Sequence, residues 1–125
     1  MATVIHTNNA PAAVGPYSQA IRTGEMLFCS GQIPLVPETG LMVEGGIEEQ
    51  ARQMFANIKA VLQAAGADFG NVVKTTVFMT DLKDFAVFNA IYAEYFPENP
   101  PARSCVQVCA LPKGALVECE VIAKL

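Results

Sequence analysis

The chain carries a single histidine, His6, near an N-terminal end expected to be mobile. That argues against Ser-His-Asp or Cys-His catalysis, which needs an imidazole base beside the nucleophile. The four cysteines, Cys29, Cys105, Cys109 and Cys119, form no CxxC pair. On one strand Cys105 and Cys109 would lie ~13 Å apart at ~3.3 Å per residue, too far for a shared metal or a disulfide. No metal site is expected, and the thiols read as reduced, small hydrophobes. Neither GxGxxG nor a P-loop is present, which disfavours a nucleotide cofactor. The eight lysines and arginines are scattered singly and the net charge is −4. Nucleic acid, which needs clustered phosphate contacts, is therefore not an expected partner. No apolar run is long enough to cross a bilayer. Met1 to His6 lacks the charged and apolar regions of a signal peptide. The expectation is a cytoplasmic protein with no membrane partner.

What is there is apolar. The 125 residues, read as a single domain over 1–125, are 52 % hydrophobic and 16 % charged. So small a domain has much surface to keep wet. An excess of apolar residues is economically explained if other subunits cover part of that surface, and a homo-oligomer is expected.

Residues 7–20 hold Asn8-Asn9, Pro11, Gly15 and Pro16 and read as an extended, turn-rich leader. Ala20 to Gln32 reads as two short strands about a turn at Thr23-Gly24. The second ends at Ser30-Gly31, where glycine permits close approach by a ligand or another strand. Ile33 to Gly46 is a loop. Ile47, Ala51, Met54, Phe55, Ile58, Val61, Leu62 and Ala65 recur at helical spacing, with Glu48 and Glu49 at the positive end and Gly66 as a stop. Val72 to Met79 reads as a buried strand. Thr80-Asp81 can cap a second helix over Leu82 to Phe96, with Asn89 one turn after Phe85.

Pro100-Pro101 halts that helix, and Arg103 opens an alternating run. On a strand, Arg103, Cys105, Gln107 and Cys109 share one face and Ser104, Val106 and Val108 the other. After a loop at 110–115 comes a last strand, Leu116 to Ala123. On it Leu116, Glu118, Glu120 and Ile122 face one way and Val117, Cys119 and Val121 the other; Glu120 reads as a surface residue, since two carboxylates on one strand face usually mark a solvent face. Strands, helix, strand, helix, strands make an α+β layer design, with two helices on one face of a mixed sheet. The bare face would need cover. An arginine at a strand mouth must face water, pair with a carboxylate or receive an anion. Arg103, Glu118, Tyr17, Asn89 and Cys105 are the candidates; a cation and a carboxylate suit small carboxylate substrates.

Pro101-Ala102-Arg103-Ser104-Cys105-Val106, Leu111-Pro112-Lys113 and Val117-Glu118 resemble the hallmark of the YjgF/RidA family. Gly15-Pro16-Tyr17-Ser18-Gln19-Ala20, Ser30-Gly31-Gln32-Ile33-Pro34 and Asn57-Ile58-Lys59-Ala60-Val61-Leu62 match too, in the expected order. The resemblance implies a chorismate-mutase-like fold in a homotrimer with clefts between subunits. It implies hydrolysis of 2-imino and enamine acids, such as 2-iminobutanoate and 2-iminopropanoate, to 2-oxo acids and ammonia, with no cofactor or metal. It assigns Arg103 to the substrate carboxylate, Glu118 to the attacking water and Tyr17 to the cleft. Ser30, Gly31 and Asn89 become pocket-lining positions and Cys105 a contact residue. Cys109 and Cys119 depart from the small or aliphatic residues of the pattern. A trimer that binds small 2-oxo acids without turnover and an endoribonuclease or translation inhibitor are the competing readings. A pure binder would need only the arginine, and the acidic charge argues against a ribonuclease.

Overall fold

A computed structural model describes residues 2–125. The strands are β1 (Ala2–Ile5), β2 (Ala20–Thr23), β3 (Met26–Gln32), β4 (Val72–Met79), β5 (Ala102–Gln107) and β6 (Val117–Lys124). Two helices, α1 (Ile47–Ala64) and α2 (Phe85–Tyr95), interrupt them. The six strands form one mixed sheet in the order β1-β2-β3-β6-β4-β5. Among the described residues only β4 and β5 pair in parallel, joined by the crossover through α2.

The helices form where the apolar period places them. α1 opens where the Gly46 N–H donates to Glu49 Oε1 (2.8 Å). It closes where Gly66 takes a positive φ of 77° and the Ala67 N–H returns to the Leu62 carbonyl (2.9 Å). Asp81 accepts from the Lys83 N–H (2.9 Å), and a 3-10 turn over Leu82–Asp84 leads into α2. Phe55 of α1 is fully buried and is the hub of the core. Its ring lies 4.3 Å from that of Tyr95 and about 6 Å from those of Phe88, Tyr92 and Phe69.

Both helices cover one sheet face, through Leu27, Cys29, Thr75, Val77, Met79, Val117, Cys119 and Val121. The alternation expected on the last strand is present: β6 buries Val117, Cys119, Val121 and Ala123. Across four strands the other face presents a registered row, Val4, Ile21, Phe28 and Ile122. In this chain Val4 is 62 % and Phe28 46 % exposed.

Three readings of the sequence need correction. The first residues, taken as a mobile end, pair with β2 from Ala2 to Ile5. The Arg103 strand ends at Gln107 rather than Cys109, because the chain turns away after the Val108 N–H reaches the Met79 carbonyl (2.8 Å). Cys109 is therefore exposed rather than packed, while Cys29 and Cys119 are buried.

Candidate active site

The residues singled out in the sequence fall into two groups on opposite faces of the sheet. Arg103 is registered with Thr75 on β4, and Glu118 with Phe78. Positions 75 and 78 are an odd number of residues apart, so their side chains leave opposite faces. Arg103, Cys105 and Asn89 belong to the helix-covered side. Glu118, Tyr17, Ser30 and Gly31 belong to the bare side.

Arg103 is held on three sides. Its Nη1 donates to Asn89 Oδ1 on α2 (2.8 Å). Its guanidinium carbon lies 4.6 Å from the Tyr92 ring centroid and 5.4 Å from that of Phe85. Both distances suit cation–π attraction. Tyr92 is itself fixed by a buried hydrogen bond between its hydroxyl and Thr75 Oγ1 (2.8 Å). Among the described residues no carboxylate pairs with Arg103. The group faces a cleft of about 400 Å³ walled by Ala93, Phe96, Pro100 and Pro101. A planar cation with free donors in such a cleft can pair with a carboxylate. Cys105, two residues on, is half-buried with its side chain against the core; burial, partly opposed by the Arg103 charge, pushes its thiol pKa up.

The Glu118 side depends on a bulge. From Cys29 to Gln32 β3 advances three residues while β6, from Val121 to Cys119, advances two. Ser30 and Gly31 carry the extra residue. A Cβ at position 31 would fall on the Glu118 carboxylate, whose Cδ would be only 3.0 Å away. The close approach that the glycine permits is thus made by this chain's own glutamate. Burial, and then the neighbouring Glu120 charge, raise the Glu118 pKa above the ordinary carboxylate range. The cleft above it measures about 410 Å³ and is lined by Tyr17, Ser30, Gly31, Lys113 and Glu120, with an apolar wall from Val14, Ile33 and Leu35. Tyr17 is half exposed on its rim. Ser30 Oγ donates to the Ser18 carbonyl (2.6 Å), so its side chain braces the leader.

Glu120, read from the sequence as a plain surface residue, lines this cleft, as does Lys113. Lys113 takes a positive φ of 57° to do so. Gln19 and Asn57, which sequence placed in motifs without giving either a role, are buried polar residues that hold the walls. The Asn57 Nδ2 donates to the carbonyls of Ile33 (3.1 Å) and Leu35 (2.9 Å), fixing the loop after β3. Among the described residues no three His, Cys, Asp or Glu side chains gather as metal ligands, and no helix is long and apolar enough to cross a membrane.

The family model described as Endoribonuclease L-PSP matches residues 7–125. The chain belongs to the YjgF/RidA family. It is 51 % identical to the 2-iminobutanoate/2-iminopropanoate deaminase of Mus musculus, over 96 % of this chain and 89 % of that protein. A crystal structure of the Rid-family protein YyfA from Yersinia pestis superposes with a TM-score of 0.95 at 54 % identity, covering all of both chains. The Escherichia coli protein TdcF, solved with bound serine, superposes at 0.94 and 45 % identity over 98 % of each chain. The mixed sheet with two helices is thus the fold of the Rid proteins.

Proposed function

We propose that this Rid protein hydrolyses small 2-imino acids and their enamine tautomers to 2-oxo acids and ammonia, in clefts formed between the subunits of a homotrimer. The observation that carries the reading is the division of the site. A cation preset for a carboxylate and a carboxyl with a raised pKa lie on opposite faces of one sheet, so one chain cannot bring them to one ligand. A second copy, covering the row Val4, Ile21, Phe28 and Ile122, can set its Arg103 against this chain's Glu118. Closed point-group assembly then repeats the cleft at every interface.

The chemistry needed is modest. The substrate carboxylate pairs with the Arg103 guanidinium, which Asn89, Tyr92 and Phe85 have already oriented. This fixes the protonated imine carbon over Glu118. Glu118 as carboxylate takes a proton from water as the water oxygen bonds to that carbon. It then returns the proton to the nitrogen; as the C–N bond breaks, the hydroxyl oxygen forms the carbonyl and its proton passes through Glu118 to the departing ammonia, so the products are a 2-oxo acid and ammonium. Its raised pKa makes the carboxylate a stronger base for the first transfer. Tyr17 and Ser30 wall the cleft, and Cys105 supports the arginine strand.

The mouse relative's name and the serine held by TdcF support a small amino-acid-derived substrate. The family description names a second reading, an endoribonuclease; a net charge of −4 argues against it. The test couples the protein to a threonine dehydratase and follows keto-acid absorbance. Faster release of 2-oxobutanoate is expected. No acceleration by wild type would overturn the deaminase reading and leave a non-catalytic binder of 2-oxo acids.

A further inference from the structure

The pairing of β1 with β2 ends at Ile5 and Ala20. Beyond it the leader leaves the sheet, and a side chain takes the place of a strand. Gln19 is only 3 % exposed. Its Oε1 accepts from the Thr7 N–H (2.8 Å), and its Nε2 donates to the carbonyls of Thr7 (3.1 Å) and Pro11 (2.9 Å). An amide that serves both the N–H and the C=O of one residue does what a neighbouring strand does. At the same place the Gln19 carbonyl accepts from the Ser30 N–H (2.9 Å), and Ser30 Oγ holds the Ser18 carbonyl (2.6 Å).

Between these ties, Ala12 to Tyr17 are all exposed. Among the described residues their one hydrogen bond is internal, from the Tyr17 N–H to the Gly15 carbonyl (2.8 Å). Yet Val14 and Tyr17 form a wall of the Glu118 cleft. A strap with no bonds of its own to the body is placed by its ends, and both ends converge on Gln19.

We propose that Gln19 is a positioning residue, a latch whose buried carboxamide sets the strap 12–17 and so holds Tyr17 over Glu118. The role rests on the reading of Tyr17 as part of the substrate cleft. Releasing the latch lengthens the free loop back to β1 and lets Tyr17 drift, which weakens substrate capture more than turnover.

The sequence contains no tryptophan, so Tyr17→Trp places a sole indole on the strap. In that background Gln19→Met is expected to raise acrylamide quenching about twofold or more. With Tyr17 intact, Gln19→Met is expected to raise KM about fivefold while kcat changes less than about twofold, the pattern of a misplaced binding wall. Unchanged quenching in folded Gln19→Met overturns the latch. Raised quenching with unchanged KM overturns its part in substrate binding. If wild type shows no deaminase activity, the functional reading fails and the positioning role with it, while quenching still judges the latch. Should Gln19→Met not fold, amide exchange on wild type decides: strand-like protection of the Thr7 amide supports the latch, and exchange as fast as that of Val14 overturns it.

Discussion

The two faces of this sheet are finished differently. The helix-covered face is closed from within, by aromatic rings gathered on Phe55 and by aliphatic side chains from four strands. The opposite face is left with Phe28 and Val4 uncovered. Each carries one half of the proposed site. At the edge of the closed face Arg103 is fully oriented by Asn89, Tyr92 and Phe85. On the open face Glu118 lies against Gly31 with a wall of loosely tied leader above it. On the proposed reading, the cation is prepared by the subunit's own packing, whereas the carboxylate side is finished by assembly.

The largest expected effect breaks the closed face. Phe55→Ala removes the ring shared by both helices and should cost about 3–5 kcal/mol of stability, measured by denaturant unfolding. Next, Arg103→Ala should lower kcat/KM by about 100-fold, the scale of losing a charged hydrogen-bonded pair of ~1.5–3 kcal/mol. Because Arg103 is exposed in this chain and no carboxylate among the described residues depends on it, subunit folding measured by circular dichroism should be unchanged. Arg103→Lys should rescue little, since an ammonium lacks the planar fork. On the open face Gly31→Ala should displace the Glu118 carboxylate and lower kcat by about 10- to 100-fold, a cost typical of ~1 Å misplacement.

The smallest effect concerns pH. Burial, and secondarily Glu120, raise the Glu118 pKa. The base form is lost as pH falls through that raised value, so the acid limb of kcat/KM should lie above the ~4.3 of an ordinary glutamate. Glu120→Gln removes the lesser cause and should move the limb down, toward that of an ordinary glutamate. A raised carboxyl pKa also makes the Glu118 contribution to stability greatest at low pH, declining as pH rises through the shifted value.

Much of this was legible in the sequence. Alternation placed Glu118 and Cys119 on opposite faces of β6, helical spacing located α1 and α2, and Pro100-Pro101 marked the start of the Arg103 strand. That Arg103 and Glu118 point away from each other was not legible, because it depends on the registers of β5 and β6 against β4. The strand Ala2–Ile5 was missed because it is short and mostly exposed, with no alternation to betray it. Gln19 and Asn57 were missed for another reason. A buried amide earns its place through the carbonyls it meets, and those lie 8 to 24 residues away along the chain. Glu120 read as surface because two carboxylates on one strand face usually are; the bulge at Ser30-Gly31 brings them to a cleft.

The central claim, that the working cleft joins Arg103 of one subunit to Glu118 of another, is tested most directly by mixing two inactive chains. Arg103→Ala and Glu118→Gln proteins are unfolded together, refolded as an equimolar mixture and assayed with threonine dehydratase. Random assembly leaves each cleft with an intact arginine from one variant and an intact glutamate from the other in roughly a quarter of cases, so roughly a quarter of wild-type activity should return. Activity no greater than that of the two parents refolded separately would contradict the shared cleft.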